Sequence, residues 1–139
     1  MRTRRQMARV LVALSVMFAS ESSLACGVCI EDRVAAVFDS ASVNAAVAKK
    51  RHVAFFGIEG DLPATADSRK AVLDALYSGG GVRGTGRVSL ESASASAAFD
   101  PAKTSMERLR TDADKRLAAR GLKLTAFRIV DGSGVLREP

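Results

Sequence analysis

Between residue 52 and the C-terminus the apolar pattern keeps switching between strand-like runs and helix-like stripes, and the order of the switches leaves few folds open. Residues 52–58 (HVAFFGI) are β-branched and aromatic, as a buried strand requires. Residues 60–64 form a loop around Pro63. Residues 65–78 place Ala71, Val72, Ala75 and Leu76 on one side of a helix. Gly79-Gly80-Gly81 ends that helix, because glycine enters the left-handed region without a Cβ clash. Residues 82–91 read as a strand with an irregularity at Gly84-Thr85-Gly86, and residues 92–99 as its hairpin partner. Thr104 then opens a helix through a capping box, with Thr104 at the N-cap and Glu107 three residues on. Met106, Leu109, Ala113 and Leu117 line its inner side, and Gly121 follows its end. Residues 122–130 (LKLTAFRIV) are a last alternating strand.

The order is β-α-β-β-α-β. It predicts an α+β chain with the split arrangement called ferredoxin-like, a four-stranded antiparallel sheet packed against two helices. An extra N-terminal helix precedes it and would have to cover an edge or a face of the sheet. Over residues 30–50, Ile30, Val34, Val37, Phe38, Ala41, Ala45 and Ala48 recur at spacings of three and four, with Glu31, Asp32, Arg33 and Asp39 elsewhere on the wheel. Ser40-Ala41-Ser42 weakens the middle, so the segment is one helix or a broken pair. Lys49-Lys50-Arg51 puts positive charge near its end, where the helix dipole favours it.

The first 25 residues read as an export signal. Arg2, Arg4, Arg5 and Arg9 make a positive start, and residues 10–19 (VLVALSVMFA) form an apolar run too short to span a bilayer. Ser23-Leu24-Ala25 offers small residues for cleavage after Ala25, which leaves Cys26 first. The rival is a lipoprotein signal that acylates Cys26, although Ser23 stands where such signals carry a large aliphatic residue. The expected location is therefore periplasmic or secreted, with a membrane anchor only if Cys26 is lipidated. Four arginines and Glu21 belong to this stretch, so the formal charge of +6 falls to +3 without it. The remaining chain has neither a basic stripe with interleaved aromatics nor a nucleic-acid motif, and no nucleic-acid partner is expected. The expected organisation is a signal over 1–25, a Cys-x-x-Cys segment with its helix over 26–51, and the ferredoxin-like domain over 52–139.

The chain's two cysteines, Cys26 and Cys29, form a Cys-x-x-Cys at the expected mature N-terminus. Two soft thiolates suit Cu(I), which accepts low coordination numbers, whereas the nearby Glu31 and Asp32 are hard oxygen ligands. A complete zinc site wants four donors, and only His52 and Met106 join the thiols, so zinc would need two chains. Haem attachment requires His after the second cysteine, where Ile30 stands. A thiol–disulfide site needs a strand before the motif, and none is read there. A plain disulfide closing a very short loop is the remaining alternative, and it would stabilise little. His52 reads as a strand-edge residue unless the N-terminal helix brings the thiols to it. Gly79-x-Gly81-x-x-Gly84 matches a dinucleotide fingerprint in letters only, since it follows a helix and opens a strand. No triad, carboxylate pair or phosphate loop supports an enzyme.

Residues 52–139 resemble the heavy-metal-associated domain of copper chaperones and metal-pumping ATPases. The resemblance lies in Val72-Leu73-Asp74-Ala75-Leu76 of the first helix, Gly81-Val82 at the turn after it, and Ala97-Ala98-Phe99-Asp100-Pro101 with Thr104-Ser105 and Leu109 further on. It implies the ferredoxin-like fold and soft-metal handling. The family's first-loop Met-x-Cys-x-x-Cys has no counterpart, because its cysteine positions fall on Thr65 and Ser68, which read as helix-capping residues. The expectation is an exported, non-catalytic protein that binds a soft metal, Cu(I) by preference, through Cys26 and Cys29. The alternatives are a metal-free protein-interaction module with a Cys26–Cys29 disulfide, and an envelope thiol–disulfide protein.

Overall fold

The computed structural model describes residues 29–139; the export signal expected over 1–25 and the first thiol, Cys26, lie outside the described residues. Two short helices come first, α1 at Ile30–Ala35 and α2 at Ser40–Ala48. The pair is broken at Asp39, whose carboxylate accepts the backbone N–H groups of Ala41 (3.0 Å) and Ser42 (3.3 Å) and so starts a second helix. The break corrects the expected inner face. Val34 and Val37 are buried as their spacing implies, but Ile30, Phe38, Ala41, Ala45 and Ala48 are exposed, and α2 buries Val43 and Ala46. A stripe counted across residue 39 drifts off the face because the helical wheel restarts there.

The expected βαββαβ order follows: β1 at His52–Glu59, α3 at Ala66–Ser78, β2 at Arg87–Ser89, β3 at Ser94–Phe99, α4 at Met106–Leu117 and β4 at Lys123–Val130. A two-residue β5 at Leu136–Arg137 adds an outer strand that the sequence reading lacks. The sheet runs β2-β3-β1-β4-β5 with every neighbour antiparallel. Its first four strands have the ferredoxin-like arrangement, with β3 inserted between β1 and β2. No helix among the described residues is long and apolar enough to cross a membrane.

Two local expectations are corrected. The strand read over 82–91 shrinks to β2, because the Tyr77 hydroxyl takes the backbone N–H groups of Gly84 (3.3 Å) and Gly86 (3.2 Å) and holds the segment as a loop. The capping box centred on Thr104 is displaced by one residue: Ser105 caps α4 by accepting the Arg108 N–H at 3.1 Å. The helix stop at Gly79-Gly80-Gly81 works as expected in kind, but the left-handed residue is Gly80 (φ 111°) rather than Gly79. The N–H groups of Gly80 and Gly81 return to the carbonyls of Tyr77 and Leu76, which closes a Schellman motif.

The sheet is covered on both sides. Against α3 and α4 it presents Ala54, Phe56, Ile58, Ala95, Ala97, Phe99 and Leu124, which pack with Val72, Leu76, Leu109, Ala113 and Leu117. The four expected inner residues of α4 are all buried here. Against α1 and α2 the sheet presents Val53, Phe55, Ala98, Phe127 and Val130, which pack with Val34, Val37, Val43 and Ala46. Burial on both faces explains why β1 is apolar along nearly its whole length instead of alternating.

Candidate functional site

Cys29 is exposed and is the N-cap of α1, with Sγ accepting the Asp32 backbone N–H at 3.4 Å. What fixes its position is the helix behind it. Arg33, one turn on, reaches across to the β2–β3 turn, where Nε donates to the Ser92 carbonyl (2.9 Å) and Nη2 to the Ala93 carbonyl (2.5 Å). Its guanidinium also lies 4.6 Å from the centre of the Phe127 ring, a cation–π contact worth about 1 kcal/mol. The Ala93 carbonyl also accepts the Ile58 N–H of β1 (2.7 Å). Arg33 therefore grips the sheet at the end where β1 leaves for the 60–65 loop. Glu31 pairs with Arg128 of β4, whose side chain is mostly buried.

The α1–α2 junction is fixed by polar contacts as well. The Ser96 hydroxyl donates to the Val37 carbonyl at 2.9 Å, and Phe38 stacks on Phe55 with ring centres 5.9 Å apart. Asp39 pairs with Arg87 (2.8 Å), and Ser42 Oγ donates to the same carboxylate (3.0 Å). Arg87 and Ser42 together hold the Asp39 carboxyl down at about 2. Sequence reasoning missed Arg33, Arg87 and Arg128 as anchors, since their partners lie in distant parts of the chain. Asp39 carried a local signal, an Asp directly before Ser-Ala-Ser.

The sequence-chosen residues do not converge. Cys26 lies outside the described residues. His52 sits at the start of β1, half-buried, with its ring edge-to-face on Phe99 (5.5 Å) in the layer beneath α3 and α4. It faces away from the layer that carries α1. Met106 is buried in that same helical layer. Thr65 and Ser68 stand where the metal loop would carry thiols, and they cap α3: Thr65 Oγ1 accepts the Ser68 N–H at 3.1 Å and lies 3.0 Å from Ser68 Oγ. Among the described residues no three of His, Cys, Asp and Glu come together as a metal cluster. Comparison with protein-family models, with curated proteins and with solved structures returns no match.

Proposed function

We propose that the protein is an exported, non-catalytic handler of a soft metal ion, with Cys26 and Cys29 as its ligands and Cu(I) as the preferred ion. The observation that carries the reading is the exposed Cys29 thiol at the head of a helix gripped by the sheet. The donors fit Cu(I) better than zinc: two thiolates meet the low coordination number of Cu(I), while zinc would want two more ligands. His52 and Met106 face the opposite layer and do not add to the set. Arg33 and the Glu31–Arg128 pair hold α1, and with it the Cys29 thiol at its N-cap. The resemblance to the heavy-metal-associated domain agrees with this reading, with the ligands moved from the 60–65 loop to the segment before α1.

The test is anaerobic Cu(I) titration of the reduced protein against a competing chelator, beside the Cys26→Ser/Cys29→Ser variant. One equivalent bound by the parent and lost by the variant is expected. Equal copper retention in the variant would rule the reading out. A parent that binds no copper, and whose mass is short by two hydrogens until reduced, would favour the metal-free module with a structural disulfide.

A further inference from the structure

We propose that the outer edge of β2 is a docking groove for a short, extended, acidic peptide of a partner protein. The inference is independent of the thiol reading. Among the described residues β2 has β3 as its single strand neighbour, and Val88 is the middle of its three residues. The Val88 carbonyl points outward, since it accepts the Arg69 guanidinium of α3. In an antiparallel ladder the N–H of the same residue faces the same way. Val88 therefore presents the donor–acceptor pair to which an added strand bonds.

A groove of about 260 Å³ runs along this edge, between the α1–α2 junction and α3. Phe38 and Leu73 supply its apolar walls, and Arg69 and Arg87 its charged ones. Phe38 stacks on Phe55 and remains 44% exposed, an uncommon state for phenylalanine. Charge identifies the occupant. Asp39 already neutralises Arg87. Arg69 is bonded to a carbonyl, and among the described residues no carboxylate pairs with it. The groove thus carries one uncompensated positive charge. A peptide N–H can take over the Val88 carbonyl and release Arg69, whose guanidinium then pairs with an Asp or Glu of the peptide. An apolar side chain two residues away on the same strand face enters between Phe38 and Leu73.

The experiment selects ligands for the purified protein from a random peptide library, then measures synthesised winners against Arg69→Glu and Phe38→Ser. Arg69 is exposed, so Arg69→Glu should melt like the parent, whereas Phe38→Ser gives up the stack on Phe55 and should melt lower but still cooperatively. Enriched peptides should carry an acidic and an apolar residue two positions apart and shift the Val88 amide resonance. Each variant should weaken their binding by about tenfold or more. No enrichment, undiminished binding to Arg69→Glu, or resonance shifts confined to another face would each overturn the proposal.

Discussion

At the scale of single residues, the α1–α2 side of the sheet depends on one missing side chain. A Cβ on Gly57 would lie 2.2 Å from Phe127 Cζ, because the Phe127 ring occupies that space. Phe127 reaches it through the register shift in the β1–β4 ladder, where Phe55 pairs with Arg128 and Phe56 with Ala126. Arg33 contacts the same ring from α1, so the ring cannot retreat freely. Gly57→Ala should therefore destabilise the protein by about 2–3 kcal/mol in urea titrations, as overpacking does. Adding Phe127→Leu should recover part of that loss, and a double variant no better than Gly57→Ala would show that the clash lies elsewhere. The two serines beneath α1 and α2 behave oppositely. Ser96 donates to the Val37 carbonyl, whereas the buried Ser94 hydroxyl has no partner among the described residues. Ser96→Ala should cost about 1 kcal/mol, while Ser94→Ala should be neutral or gain up to about 1 kcal/mol, because an unsatisfied hydroxyl is removed. Equal losses at both sites would contradict this assignment.

Among elements, the sheet edges show how the chain limits unwanted pairing. On the β4 side, Asp114 of α4 accepts the Leu124 N–H (2.7 Å), and Arg110 pairs with the same carboxylate. β5 covers Ile129 and Val130. On the β2 side, Arg69 occupies the Val88 carbonyl and leaves it only for a strand that offers the guanidinium a carboxylate. Side chains thus cover backbone groups that would otherwise template another strand. The attachment of α2 carries a pH dependence. The Asp39 carboxyl sits at about 2 in the fold, below its ordinary 3.8. A depressed folded value means that its contribution is present above the ordinary value and is lost as pH falls toward 2. Asp39→Asn keeps a good N-cap but removes the charge. Its melting temperature should be lower than the parent's near neutrality, and the difference should narrow between about pH 4 and pH 2. Asp131 is also held at about 2, by Ser133, so the variant should retain some acid sensitivity in that window. A constant difference down to pH 2 would assign the loss to the cap rather than to the pair with Arg87.

For the whole molecule, the sequence revealed the order of elements because that order is written in local periodicity and capping. The stripe Met106, Leu109, Ala113 and Leu117 and the Thr65 cap are of this kind. The second covered face was legible only in outline, as an extra helix that must cover an edge or a face of the sheet. It depends on contacts between distant residues, such as Arg33 with Ala93 and Asp39 with Arg87, and on a helix break that shifts the buried set to Val43 and Ala46. The place of Cys29 at the start of a helix was legible, since the periodicity begins at Ile30, but the arginines that hold α1 have no local signature. The covering of that second face makes a claim about cooperativity. Cutting the chain before residue 52 would bare Val53, Phe55, Ala98, Phe127 and Val130 together, a contiguous apolar patch of the kind monomeric proteins rarely expose. The 52–139 fragment should then bind a hydrophobic dye and give a poorly dispersed amide spectrum, even though it contains every element of the βαββαβ order. Adding a peptide of residues 29–51 should restore dispersion, since its Arg33, Val37 and Asp39 contacts are those that close the face. A fragment that is well dispersed and dye-free alone would mean that α1 and α2 are an appendage, and the arginine grip would then serve only to place the thiols.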